Sequence, residues 1–259
     1  MSTIDENFYH QPIFPKVFGE YKIHFSDEEE KILEKWKTKE HAIEHSLIVA
    51  DEFDTFYAEP YQTIEERSKW PVWDAPFQIL HLQKNILKNC AELRSIGQSI
   101  LDISNHYVKT AYGIKLQDNC ILDFSDSWMI KLQGDPNGGP FRKHNHAASW
   151  LTGVLYLNDS NCGIQLENNI GSTFEEDNYP WVFQPDSMDS NVFNLNEVDI
   201  EIEKGKVVIF NSKMNHSLNN FGSVDDVRHS IAFNIWPYGN INNRGGSMLS
   251  YPPEPLRDI

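Results

Sequence analysis

His144 and His146 stand two residues apart in the run K-H-N-H-A-A-S-W, His216 follows seventy residues later, and Arg228-His229-Ser230 lies twelve residues beyond that. Residues two apart on a strand share a face, so a His-x-His pair can offer two imidazoles to one ion. A third imidazole from a neighbouring strand would complete one face of an octahedron and leave the other positions open for chemistry. Arg228 and Ser230 are also two apart. A planar guanidinium fork beside a hydroxyl is a fitting clamp for a carboxylate. No single part decides the matter: with ten His in 259 residues, a chance His-x-His arises about 0.4 times. Arg228 alone could equally pair with one of the 38 acidic side chains. The order of the parts along the chain carries more weight. His229 alternates to the face opposite Arg228 and reads as structural, and His10, His24, His41, His45, His81 and His106 have no paired spacing on one strand.

The elements that must position these residues change in character at Gly113. Beyond it, segments 119–133, 150–158, 162–167, 206–211, 214–219 and 228–236 are short, rich in β-branched and aromatic residues, and separated by Gly, Asn, Asp and Pro clusters. Before it, Ile79, Leu82, Ile86, Leu93, Ile96, Ile100 and Tyr107 recur every three or four residues. That spacing predicts one long or two abutting helices over 76–112, with Gly113 as the C-terminal cap. Ser26-Asp27-Glu28-Glu29 is a capping box ahead of a helix of about three turns carrying Ile32, Leu33 and Trp36. Strands after helices indicate a mainly β fold with flanking helices, a sandwich or jelly-roll core. The expected organisation is an N-terminal extension over 1–75, a core over 76–240 and a C-terminal tail over 241–259. Within the core, the long acidic stretch 168–200 is a candidate lid.

Composition sets the outer limits. Apolar residues are 40% and charged residues 23% of the chain, which supports a real core. A net charge of −16 without any Lys/Arg run argues against bulk nucleic-acid binding. Cys90, Cys120 and Cys162 are odd in number and widely spaced, which favours free thiols in a reducing interior over a disulfide framework. No basic leader with an apolar stretch and no run of about 20 apolar residues is present, so the expected location is the cytoplasm of a bacterium or of an infected host cell. Oligomeric state leaves no mark in the sequence.

The order H-x-H, S-W-L-T-G-V-L-Y-L-N, G-K-V-V-I-F-N-x-x-x-N-H and R-x-S-I-A-F-N resembles the 2-oxoglutarate- and Fe(II)-dependent oxygenase family of bacteria and phages, over roughly residues 90–238. The resemblance implies a double-stranded β-helix, cupin-like, with Fe(II), 2-oxoglutarate and O2 as cofactor and cosubstrates. It implies His144, His146 and His216 as metal ligands, and Arg228 and Ser230 as the clamp for the far carboxylate of 2-oxoglutarate. It further implies hydroxylation of a small-molecule or peptide substrate, with release of succinate and CO2. His146 stands where the wider superfamily has a carboxylate. Two arrangements follow: a three-His site, which is the expectation taken, or a His146 that points elsewhere while a water or a carboxylate such as Asp135 fills the gap. Two other functions compete with this one. The first is a three-His cupin dioxygenase independent of 2-oxoglutarate; the second is a non-catalytic jelly-roll module holding a structural metal. Trp128, Trp150, Tyr156 and Trp236 are candidate cavity residues whose simpler role is core packing.

Overall fold

Eight strands between Cys120 and Gly239 are divided between two sheets in a computed structural model of the chain. It describes residues 16–38, 40–41, 77–79, 85–116, 120–135, 137, 140–146, 149–167, 197–219 and 223–239. The strands are β1 (Phe18–Lys22), β2 (Phe77–Ile79), β3 (Cys120–Gln133), β4 (Pro140–His144), β5 (Leu151–Tyr156), β6 (Ser160–Glu167), β7 (Glu197–Ile202), β8 (Lys206–Asn211), β9 (Asn215–Asn219) and β10 (Val227–Gly239). One sheet has the order β1-β8-β5-β10-β3-β2 and the other β4-β9-β6-β7. Every pairing is antiparallel. A chain that passes from β3 to β10 by crossing repeatedly between two antiparallel sheets is a jelly-roll, the double-stranded β-helix expected from the strand pattern.

The larger sheet is buried on both faces, and its residues alternate accordingly. Leu151, Leu155, Val207, Ile209, Ile231, Phe233 and Ile235 face a helical layer, where they join Leu33, Trp36, Ile96, Ile100 and Val108 in one apolar cluster. The intervening Val154, Tyr156, Val208 and Phe210 face the second sheet and meet Ile164, Leu166 and Ile200. Strands covered on both sides read as continuous apolar runs, which explains the unbroken burial of L-T-G-V-L-Y. Gly153 is needed within it, because a Cβ there would lie 2.5 Å from the Val208 carbonyl oxygen and 2.4 Å from the Phe233 ring.

The helical layer contains α1 (Asp27–Trp36), α2 (Ile86–Asn89), a 3-10 turn (Ala91–Leu93) and α3 (Arg94–Tyr112). The capping box forms as the sequence predicts: Ser26 Oγ accepts from the Glu29 amide, and the Glu29 carboxylate accepts from the Ser26 amide. Gly113 ends α3 at φ 64°, the left-handed cap that glycine adopts without steric penalty. The expectation of helix throughout 76–112 needs correction. Phe77–Ile79 is an edge strand paired to β3, and the helical part begins at Ile86 and breaks at Cys90, which is extended at φ −98°, ψ 109°. Three-residue apolar spacing persists across the break because both pieces pack on the same sheet. Sequence reading did not isolate β4 and β7. Positions 46–75 of the N-terminal extension, positions 168–196 of the candidate lid and the 241–259 tail lie outside the described residues.

Candidate metal and carboxylate site

The interior of the sandwich carries the predicted residues at the ends of short strands. His144 closes β4 and lies opposite His216 of β9 in register. His146 sits just past the strand end, where its backbone amide donates to the Ser212 carbonyl at 2.8 Å. Asn145 Nδ2 donates to Asn215 Oδ1 at 2.9 Å and joins the two His-bearing segments a second time. These ties bring His144, His146 and His216 together, with one donor atom from each ring all within 4.8 Å of one another. Ring centroids are 4.2 Å apart for His144 and His216, and 5.1 Å for each of the other two pairs. His144 is exposed, His146 half-buried and His216 buried, so the cluster opens to solvent on the His144 side.

Two of the three rings have their orientation fixed. His216 Nδ1 lies 3.2 Å from the Met214 carbonyl oxygen, an acceptor that requires the proton on Nδ1 and leaves the Nε2 lone pair free. His216 also packs edge-on against Phe210 at 5.1 Å. His146 Nδ1 lies 2.6 Å from Asn234 Oδ1, and the His146 ring stacks on Trp128 at 5.8 Å. Burial pushes the His216 pKa down to about 3, with the nearby His144 adding to the effect. Burial likewise lowers His146, against the opposing pull of the Asn234 hydrogen bond. Both rings are therefore neutral near pH 7, the form that binds a metal.

On the same interior face, β10 presents Arg228 and Ser230. Arg228 is among the most completely buried large side chains, at 1% exposure. Its Nη1 donates to the carbonyls of Cys162 (3.0 Å) and Gly163 (2.7 Å) on β6. Those carbonyls lie in the stretch where β6 breaks register with β7, between Ser160 and Ile164. Arg228 Nε, Ser230 Oγ and Tyr156 Oη are buried without a hydrogen-bond partner. Tyr156 stands beside Ser230 in register, and the Arg228 guanidinium lies 5.6 Å from its ring centre. Burial pushes the Tyr156 hydroxyl up to about 12, so it remains a donor. Burial also lowers Arg228 from its ordinary value, while a guanidinium keeps its charge in proteins. Among the described residues no carboxylate pairs with it. Three unpartnered donors around a buried cation fit an anion with several acceptor oxygens.

The remaining candidates fall into place individually. Asp135 is exposed and its Oδ1 accepts from the Asn137 amide at 2.9 Å, a turn hydrogen bond; it is not among the three donors that cluster with His144. Trp150 stacks on Tyr112 and packs with the helical layer, away from the interior. His229 is half-buried and depressed to about 4 by burial and the charges of Lys37 and Lys131. Sequence reading did not assign Asn234, or Tyr156 as the neighbour of Arg228 and Ser230. The period-two alternation from Arg228 through Ser230 and Ala232 to Asn234, once anchored by Arg228, is the signal that places Asn234 inside.

Residues 126–234 match the family model described as "Putative 2OG-Fe(II) oxygenase". The matched stretch holds His144, His146, His216, Arg228 and Ser230 and ends on Asn234. No curated protein matches the chain. Among solved structures, the chain is similar to AviO1 from Streptomyces viridochromogenes Tue57 (11% identity, 90% of this chain and 94% of that one, TM-score 0.46). It is similar to a Pseudomonas putida prolyl-4-hydroxylase (13% identity, 85% and 92%, TM-score 0.40). It is also similar to an oxidoreductase of the 2OG-Fe(II) oxygenase family from Burkholderia pseudomallei (12% identity, TM-score 0.40). There the overlap is 61% of this chain and 64% of that one, just under two thirds of its length.

Proposed function

We propose that this chain, whose residues 126–234 match the 2OG-Fe(II) oxygenase family model, is such an oxygenase and hydroxylates an unidentified small-molecule or peptide substrate with release of succinate and CO2. The family implies Fe(II), 2-oxoglutarate and O2. In this reading His144, His146 and His216 hold the iron, and Arg228, Ser230 and Tyr156 hold the far carboxylate of 2-oxoglutarate. When bound, the iron and cosubstrate would supply the oxidising chemistry.

The observation that carries the reading is the trio of unpartnered buried donors at Arg228, Ser230 and Tyr156, on the same sandwich interior as a three-imidazole cluster. The donor set fits both groups. Three imidazoles suit a divalent transition ion and leave positions open, whereas structural zinc sites are closed by four protein ligands. The guanidinium and two hydroxyls suit a carboxylate, the group by which 2-oxoglutarate would be held. The protein's own work is then threefold. A backbone tie at Ser212 and a side-chain tie at Asn215 orient the imidazoles, the apolar walls of Val154, Leu166 and Val208 exclude water, and the opening at His144 admits substrate.

Anaerobic addition of Fe(II) and then 2-oxoglutarate tests this. A visible metal-to-ligand charge-transfer band should appear only when 2-oxoglutarate joins Fe(II), and should saturate at one equivalent. Folded protein that gives no band would overturn the reading.

A further inference from the structure

We propose that Asn234 is the positioning residue of the metal centre, its carboxamide oxygen holding His146 in the Nδ1–H tautomer so that Nε2 offers its lone pair to the ion. This rests on the three-His reading above and names what makes His146 a competent third ligand. A neutral imidazole has one donor nitrogen and one acceptor nitrogen. Which is which is set by the partner of the nitrogen turned away from the metal. For His216 that partner is a backbone carbonyl, present whatever the side chain. For His146 it is Asn234 Oδ1 at 2.6 Å, a side chain that substitution can remove.

Asn234 is held firmly enough to impose the choice. It lies inside β10 between Asp126 of β3 and Thr152 of β5, at the register shift before Ile235. The Ser149 hydroxyl donates toward the same Oδ1 at 3.5 Å, the outer limit of hydrogen bonding. The His146 ring is flanked by Trp128 at an interplanar angle of 21° and by His144 at 27°, so it has little room to turn over. Were the carboxamide to face His146 through its NH2, Nδ1 would become the acceptor and the proton would move to Nε2, blocking the metal.

The test joins a metal-free readout to a metal-binding one. Long-range 1H–15N correlation of the histidine rings in metal-free protein should show His146 as Nδ1–H. N234A should mix in the Nε2–H form, leave the His216 pattern unchanged, and lower Co(II) affinity about 10- to 100-fold. N234D, whose carboxylate accepts the same hydrogen bond, should keep the tautomer and bind Co(II) at least as tightly as the parent. If N234A does not fold, the parent spectrum and N234D carry the decision. A parent His146 in the Nε2–H form overturns the proposal, as does an N234A that leaves tautomer and Co(II) affinity within twofold. H144A and H216A separate the two layers of inference. If neither weakens Co(II) binding, the three-His reading falls, and a tautomer that still follows Asn234 reduces the contact to local packing.

Discussion

Replacing Arg228 by Met should uncouple ligand recognition from folding in a way that only a carboxylate clamp explains. The substitution keeps length and apolar stem but removes the charge and the donors to Cys162 and Gly163. Loss of two buried hydrogen bonds costs about 1–3 kcal/mol each. Against this, removing a buried cation that no carboxylate compensates returns several kcal/mol. The two nearly offset, so the melting temperature should move by less than about 8 °C in either direction, at roughly 2–4 °C per kcal/mol for a chain of this size. Binding has no such compensation. Truncating one partner of a buried, hydrogen-bonded charge pair costs about 2–5 kcal/mol, so 2-oxoglutarate affinity should fall about 30- to 5,000-fold. Anaerobic titration of the Fe(II)-loaded protein, followed by the charge-transfer band, measures this directly. The parent should also prefer 2-oxoglutarate over 2-oxobutyrate, which lacks the far carboxylate, and R228M should lose that preference. A folded R228M that binds 2-oxoglutarate within threefold of the parent would refute the clamp.

Three further outcomes follow from the geometry. H144A, H146A and H216A should each reduce Co(II) retained after dialysis from about one equivalent to a small fraction, with unchanged circular dichroism, because no other described His, Cys or carboxylate cluster replaces the lost donor. His229 has its pKa depressed to about 4, so the unfolded chain binds the extra proton between about pH 6.5 and 4. The stabilising contribution is therefore present above pH 6.5 and is lost as pH falls through that window, by on the order of 1–3 kcal/mol after allowance for solvent screening. Urea unfolding at pH 7 and 4.5 should show the difference, and H229Q should reduce it. G153A should abolish soluble expression or lower the melting temperature by more than 6 °C, since its Cβ would press on the Val208 carbonyl and the Phe233 ring.

Local chemistry was legible where it is written in consecutive residues. The capping box at Ser26, the Gly113 cap and the strands around Leu151, Val207 and Ile231 could be read because each rests on propensity and period within a few positions. Two-residue spacing likewise put Arg228 and Ser230 on one face. The short strands β2, β4 and β7 were not separable, since their pairing partners are distant in the chain and supply the stabilisation that their own residues lack. Asn234 and Tyr156 escaped assignment for a related reason: their meaning comes from neighbours distant in sequence, His146 for Asn234 and Arg228 on the adjacent strand for Tyr156. Placing Asp135 also required three dimensions, because this turn carboxylate, five residues before the strand of His144, is near in sequence, yet its Oδ1 accepts from the Asn137 amide and it lies outside the three-His group.

The broken register of β6 has a consequence for how the molecule moves. Where the ladder lapses after Ser160, the guanidinium of Arg228 takes over as a tie rod, crossing from one sheet to two carbonyls of the other. The spacing of the sheets at that level is thus set by the same group that faces the anion pocket. An anion drawing on Arg228 would load the tie rod and stiffen the sandwich from within. Slower amide hydrogen exchange around Cys162 and Gly163 of β6 and Arg228 of β10 would then report binding of the anion.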